Sequence, residues 1–183
     1  VDQLAGLLGN NVADPASVGG ADGAASAPSP ATAPIEFKVS GVINFSQTEG
    51  STLGAFTPDL LMPGMPSLTG GTDNFAAAAL TALEFPVAGT YTMIINSDDG
   101  FATTVAKNPN DLFATTVGIF EGGRGAADTV FDIYVEAAGL YAFRTLWYEG
   151  TGDANIEWVA FTPAGARVLV NDTATDPTVL KAY

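Results

Sequence analysis

The stretch Phe85-Pro-Val-Ala-Gly-Thr-Tyr-Thr-Met-Ile-Ile-Asn-Ser-Asp-Asp-Gly-Phe-Ala-Thr-Thr-Val105 decides how the rest of the chain is read. A glycine turn leads into Tyr91-Thr-Met-Ile-Ile95, an alternating run with the two-residue period of a strand that has one buried face. Ser97-Asp98-Asp99-Gly100 ends that run with residues that favour tight turns, and a second short run starts at Phe101. The same grammar continues to the C-terminus. Aromatic or β-branched runs over 101–106, 114–120, 129–136, 140–148, 155–161 and 166–170 are separated by Gly, Asn or Asp turns. No segment after residue 88 has a helical period. The fold class expected is all-β, an antiparallel β-sandwich of jelly-roll type.

Upstream, Phe75-Ala-Ala-Ala-Ala-Leu-Thr-Ala-Leu-Glu-Phe85 is rich in good helix formers, yet it leads straight into the β pattern, and a strand over 79–87 is favoured. Residues 46–74 read as loop broken by Pro58, Pro63 and Pro66, with Leu60, Leu61, Met62 and Met65 folded back onto the sheet. Ile35, Phe37 and Val39 alternate with Glu36, Lys38 and Ser40 and start the domain. Residues 15–34 are almost entirely Pro, Ala, Gly and Ser, a linker composition. Residues 1–14 place Val1, Leu4, Leu8 and Val12 at helical spacing with Leu7 beside them. The expected organisation is an extended apolar arm (1–14), a linker (15–34) and a sandwich domain (35–183).

Composition narrows function. With no cysteine and no histidine there is no disulfide, no thiolate or imidazole metal ligand, and no Ser/His or Cys/His catalytic arrangement. No carboxylate pair stands out for glycoside hydrolysis among twenty acids, so the chain is not expected to be an enzyme. A net charge of −14 opposes nucleic acid and anionic membranes. No apolar run approaches the roughly 18 residues of a membrane span. Low charge with abundant Gly, Ala, Thr and Ser is an exported-protein composition, and Val1 in place of methionine suits a processed N-terminus; an extracellular or cell-surface location in a bacterium is expected. Asn44-Phe-Ser and Asn171-Asp-Thr match the N-glycosylation acceptor pattern, which carries little meaning in a bacterial protein. Trp147, Tyr148 and Trp158 offer a sugar-stacking platform by residue type, but alternation puts Trp147 and Tyr148 on opposite faces of their strand, so at least one is core, and core is the favoured reading for Trp147 and Trp158.

The 85–105 stretch, followed by VEAAGLYAFRTLWYEGTGDANIEWVAF over 135–161, resembles the carbohydrate-associated β-sandwich module named after the anthrax protective antigen and found in yeast adhesins. The matching elements are the Tyr91 strand, the Ser97-Asp98-Asp99-Gly100 turn, the Gly139-x-Tyr141 strand and the return from Gly152 to Trp158. The intervening stretch 106–128 departs from the family's pattern. The resemblance implies a calcium ion on Asp98 and Asp99 that coordinates sugar hydroxyls. Further oxygens come by residue type from Asp153, Asn155, Asn108 and Asn110. Read alone, Asp98-Asp99-Gly100 is more readily an ordinary turn, and the residues by themselves require no cofactor. Asn171-Asp-Thr-Ala-Thr-Asp176 reads as a solvated turn.

Two functions are therefore expected. The first is a structural subunit of an extracellular fibre or surface assembly. Here Val1, Leu4, Leu7, Leu8 and Val12 dock on a neighbouring copy in a head-to-tail homopolymer, the layout of donor-strand-assembled fibre subunits. The alternative is a calcium-dependent carbohydrate-binding or adhesin module whose partners are glycans.

Overall fold

The computed structural model describes residues 12–25, 35–111 and 113–183. Among the described residues there is no helix, and eleven strands form two facing sheets: β1 (Asn44–Ser46), β2 (Leu60–Leu61), β3 (Phe75–Phe85), β4 (Gly89–Asp98), β5 (Gly100–Val105), β6 (Thr115–Phe120), β7 (Ala127–Val135), β8 (Gly139–Glu149), β9 (Asn155–Phe161), β10 (Arg167–Leu169) and β11 (Lys181–Ala182). One sheet runs β2-β1-β9-β4-β7 with β10 continuing on β9, and the other runs β11-β3-β8-β5-β6. Among these strands the β1–β2 pairing alone is parallel. The expected antiparallel sandwich is the fold observed.

The core lies between the sheets, where the alternating runs meet. Met93 and Ile95 of β4, Ile156 and Trp158 of β9, Leu83 and Phe85 of β3, and Phe143 and Trp147 of β8 are all buried there. Both tryptophans are core, as alternation requires, and Trp147 meets Phe75 edge to face with centroids 5.3 Å apart. Each such ring removes a large apolar area from water, the main stabilising term of the fold.

The alanine-rich segment is strand along its whole length. Register pairing with β8 runs from Phe75 opposite Glu149 to Phe85 opposite Gly139. Tertiary pairing overrides helix propensity here, because the odd-numbered residues Phe75, Ala77, Leu83 and Phe85 reach the core. The two Ala-Gly-x-Tyr phrases form one device used twice. Gly89 and Gly139 share a φ of 152°, and the Tyr91 and Tyr141 hydroxyls each donate 2.8 Å back to a carbonyl four residues earlier, on Val87 and Ala137.

Three regions differ from the sequence expectation. Over 35–40 the expected alternation of burial is present, but only Glu36 makes a ladder bridge, and it is Val39 that packs on the core. Residues 46–74 contain the end of β1 and all of β2. Met65 is buried and Met62 packs on the core, while Leu60 is 41% exposed. Within 12–25 the backbone is bonded to its own domain. Leu68 N–H donates to the Val12 carbonyl (2.7 Å), Gly20 N–H to Leu61 (2.8 Å) and Asp22 N–H to Lys38 (2.8 Å). Val1, Leu4, Leu7 and Leu8, expected to dock on a neighbour, lie outside the described residues.

Candidate metal and ligand site

Strand β4 ends at Asp98 in one sheet and β5 begins at Gly100 in the other, so Asp99 alone carries the chain between sheets at one end of the sandwich. The Asp98-Asp99 peptide is cis. Its surroundings hold the backbone in place. The Trp147 indole N–H donates to the Asp98 carbonyl (3.0 Å), and the Ser97 hydroxyl donates to the Asp99 carbonyl (2.7 Å). The Asp99 carboxylate accepts the Arg124 backbone N–H at Oδ1 (2.7 Å) and the Gly150 N–H at Oδ2 (2.9 Å). Gly150 fits closely: a Cβ there would lie 3.2 Å from Asp99 Oδ2.

Glu149, the last residue of β8, completes the group. Carboxylate oxygens of Asp98, Asp99 and Glu149 all lie within 4.8 Å of one another. Glu149 is 2% exposed, and no donor completes a hydrogen bond with either of its carboxylate oxygens. Burial, then the neighbouring Asp99, Asp98 and Asp73 charges, push its carboxyl up to about 7, against slight relief from the Asp99 backbone N–H. Asp98 is pushed up to about 6 by burial, then by Asp99 and Asp153, with Arg124 opposing.

Asn155 opens β9 directly opposite Asp98 in register. It is fully buried; its Nδ2 donates to Asn96 Oδ1 (3.0 Å), and its Oδ1 has no partner. The site therefore holds more acceptors than donors, the Asp99 carboxylate taking two backbone N–H groups while the Glu149 oxygens and Asn155 Oδ1 stay without a partner. Arg124, the nearby cation, spends its guanidinium elsewhere: it donates to the Ser97 carbonyl, the Ser97 hydroxyl and the Thr129 hydroxyl, and lies 3.9 Å over the Phe120 ring. The one ion pair among the described residues joins Arg167 and Asp128 (2.7 Å).

Of the residues singled out from sequence, Asp98, Asp99 and Asn155 come together, and Asp153 stands exposed in the turn before Asn155, close enough to raise Asp98. Asn108 and Asn110 do not join them. They follow the far end of β5, about 20 Å of strand from Asp99 at roughly 3.3 Å per residue, and Asn108 Oδ1 caps the Asn110 N–H instead (3.0 Å). The 171–176 loop is a turn: Asp172 Oδ1 accepts the Thr175 N–H (3.1 Å) and Asp176 Oδ1 the Thr178 N–H (2.8 Å). Sequence reasoning missed Glu149. Its signal was the period-2 phase of Phe143 and Trp147, which puts an acid on the core-facing side of β8.

The donor set is hard oxygen, carboxylate and amide, which suits calcium rather than a soft metal. The orphaned oxygens of Glu149 and Asn155 fit that group.

No family model and no curated protein matches the chain. Solved structures share the fold. The A domain of a Candida glabrata subtype-switched Epithelial Adhesin 9 to 1, crystallised with beta-lactose, aligns with a TM-score of 0.53 at 16% identity over 75% of this chain and 66% of its own. The Epithelial Adhesin 6 A domain of the same organism, crystallised with Galb1-3GlcNAc, gives 0.52 at 17% over 74% and 65%. An anti-sigma factor domain-containing protein gives 0.54 at 17%, over 74% of this chain but only 40% of that one. The chain thus spans just under two thirds of the length of these two adhesin domains. No helix among the described residues is long and apolar enough to cross a membrane.

Proposed function

We propose that this chain is a calcium-dependent carbohydrate-binding module of an extracellular or cell-surface protein, with Asp98, Asp99, Glu149 and Asn155 as its metal ligands and no catalytic role. The observation that carries the reading is the convergence of three carboxylates, with both Glu149 oxygens left without a hydrogen-bond partner and the buried, unpartnered amide oxygen of Asn155 on the residue opposite Asp98 in register. Calcium bound there would supply open coordination positions for neighbouring sugar hydroxyls. Asp99 is already fixed by two backbone N–H groups, so the site is preorganised on rigid strand ends. Asp153 and the 121–126 loop border it. The Tyr148 hydroxyl anchors that loop by accepting the Gly122 N–H (2.8 Å) and donating to the Gly122 carbonyl (3.1 Å). Two of the solved adhesin domains with this fold were crystallised with galactose-containing ligands, which makes such glycans the first to test.

The fibre-subunit reading rests on apolar residues outside the described ones, and the described end of that arm, Val12, is bonded to Leu68 of its own domain. The experiment is a glycan screen in calcium and in chelator, run on the wild-type chain and on Asp98→Asn with Asp99→Asn. Binding that needs calcium and both aspartates supports the reading; binding indifferent to both defeats it.

A further inference from the structure

A second acidic cluster lies one side-chain step along β9, beneath the loop that joins β1 to β2. Glu157 follows Asn155 on the same face and is fully buried. Its Oε1 accepts the backbone N–H groups of Ala55 and Phe56, both at 2.8 Å, while its Oε2 has no partner. The loop crosses the carboxylate so closely that a Cβ on Gly54, whose φ is +74°, would sit 2.3 Å from Oε1 and 2.9 Å from Oε2.

Two more buried oxygens belong to the same loop. Asn44, opposite Glu157 in register, is 6% exposed. Its Nδ2 donates to the Phe56 and Pro58 carbonyls (3.0 and 3.3 Å), which assigns the amide and leaves Oδ1 buried without a donor. Asp59 is 2% exposed; Oδ2 accepts the Leu53 N–H (3.3 Å) and Oδ1 has no partner. The nearest guanidinium, Arg167, faces the Phe56 ring at 5.7 Å and is committed to both carboxylate oxygens of Asp128. Two buried carboxyls and an amide oxygen thus each keep an oxygen that no protein donor meets in hydrogen-bond geometry, a costly arrangement unless something else fills it.

We propose that Glu157 Oε2, Asp59 Oδ1 and Asn44 Oδ1 hold a second calcium ion, independent of the one at Asp98 and Asp99, whose role is to pin the 47–59 loop. The three side chains supply the charge and part of the six to eight oxygens calcium takes, and backbone carbonyls or water supply the rest. The loop so pinned reaches the first site: the Gln47 N–H donates to the Ala154 carbonyl (3.2 Å), beside Asp153 and Asn155.

Native mass spectrometry of the full chain under a calcium titration counts the ions. Two are expected for the wild type, one for Asp98→Asn with Asp99→Asn, and none when Asp59→Asn is added to that pair. A double variant that binds no calcium overturns the proposal without any change at the second site, so it does not depend on Asp59→Asn folding. An ion that survives Asp59→Asn overturns it as well, and so does a wild type with one ion that the double variant loses; the carboxyls then share a proton. If the first site is the one misread, wild type and double variant bind the same single ion and Asp59→Asn removes it.

Discussion

Glu149 and Glu157 are both buried glutamates near the same end of the sandwich, and they differ in what meets their carboxylates. Glu157 is clamped by two backbone N–H groups of a loop that closes over it, whereas Glu149 meets no donor in hydrogen-bond geometry and sits among other carboxylates. Both are raised, Glu157 chiefly by burial with the Phe56 and Ala55 N–H groups opposing, Glu149 by burial reinforced by neighbouring acids. The contrast teaches that two acids equally buried can be spent differently. One acid is built into the scaffold as a loop anchor with one oxygen to spare; the other has both oxygens unspent.

The contrast breaks most visibly through the anchor. Glu157→Ala strands two buried N–H groups and leaves a cavity, so urea denaturation should show a loss of about 3–5 kcal/mol. The corresponding change at the other glutamate should have the opposite sign when calcium is absent. Glu149→Gln removes a buried charge with no partner and should raise the stability of the calcium-free protein by about 1–3 kcal/mol, while lowering calcium affinity at the first site at least about tenfold. Calorimetry with and without calcium reads both effects.

The same asymmetry has a pH signature. The Glu149 carboxyl, at about 7 when folded against an ordinary 4.5, holds a proton in the folded chain that the unfolded chain has already released. Calcium-free stability should therefore fall as pH rises from 4.5 to about 7 and level off above. Asp98 adds the same sign between 3.8 and about 6. Urea midpoints measured across this range should flatten in Glu149→Gln, and calcium binding should weaken as pH falls through the same window. The smallest expected effect is at the border of the site. Tyr148→Phe removes the phenol that anchors Gly122 and should cost about 1 kcal/mol, leaving calcium stoichiometry unchanged.

How much of this was legible follows from how local each signal is. The long strands β4 to β9 announce themselves by alternation and turn residues, and so does the burial of Trp147 and Trp158. The three-residue β1 and two-residue β2 do not, because strands that short exist only through their partners β9 and each other. Phe75 to Phe85 needed β8 beside it before its alanines could be read with certainty as strand. At the site, Asp98 and Asp99 were legible through family resemblance, and Asn155 by residue type. Its place opposite Asp98 is a matter of register, which no local pattern states. Asn108 and Asn110 were drawn in by composition and excluded by the length of β5. Asp59 and Asn44 gained meaning only when the loop between them was seen to fold over Glu157.

The central claim is that the Asp98, Asp99, Glu149 and Asn155 oxygens hold calcium for sugar recognition. Its most direct test is calorimetric titration of a galactose-containing disaccharide into the calcium-loaded and the chelator-treated chain. Saturable binding in calcium is expected, and it should disappear in chelator and in Asp98→Asn with Asp99→Asn. Equal binding in all three, or sugar binding that persists without calcium, would contradict it.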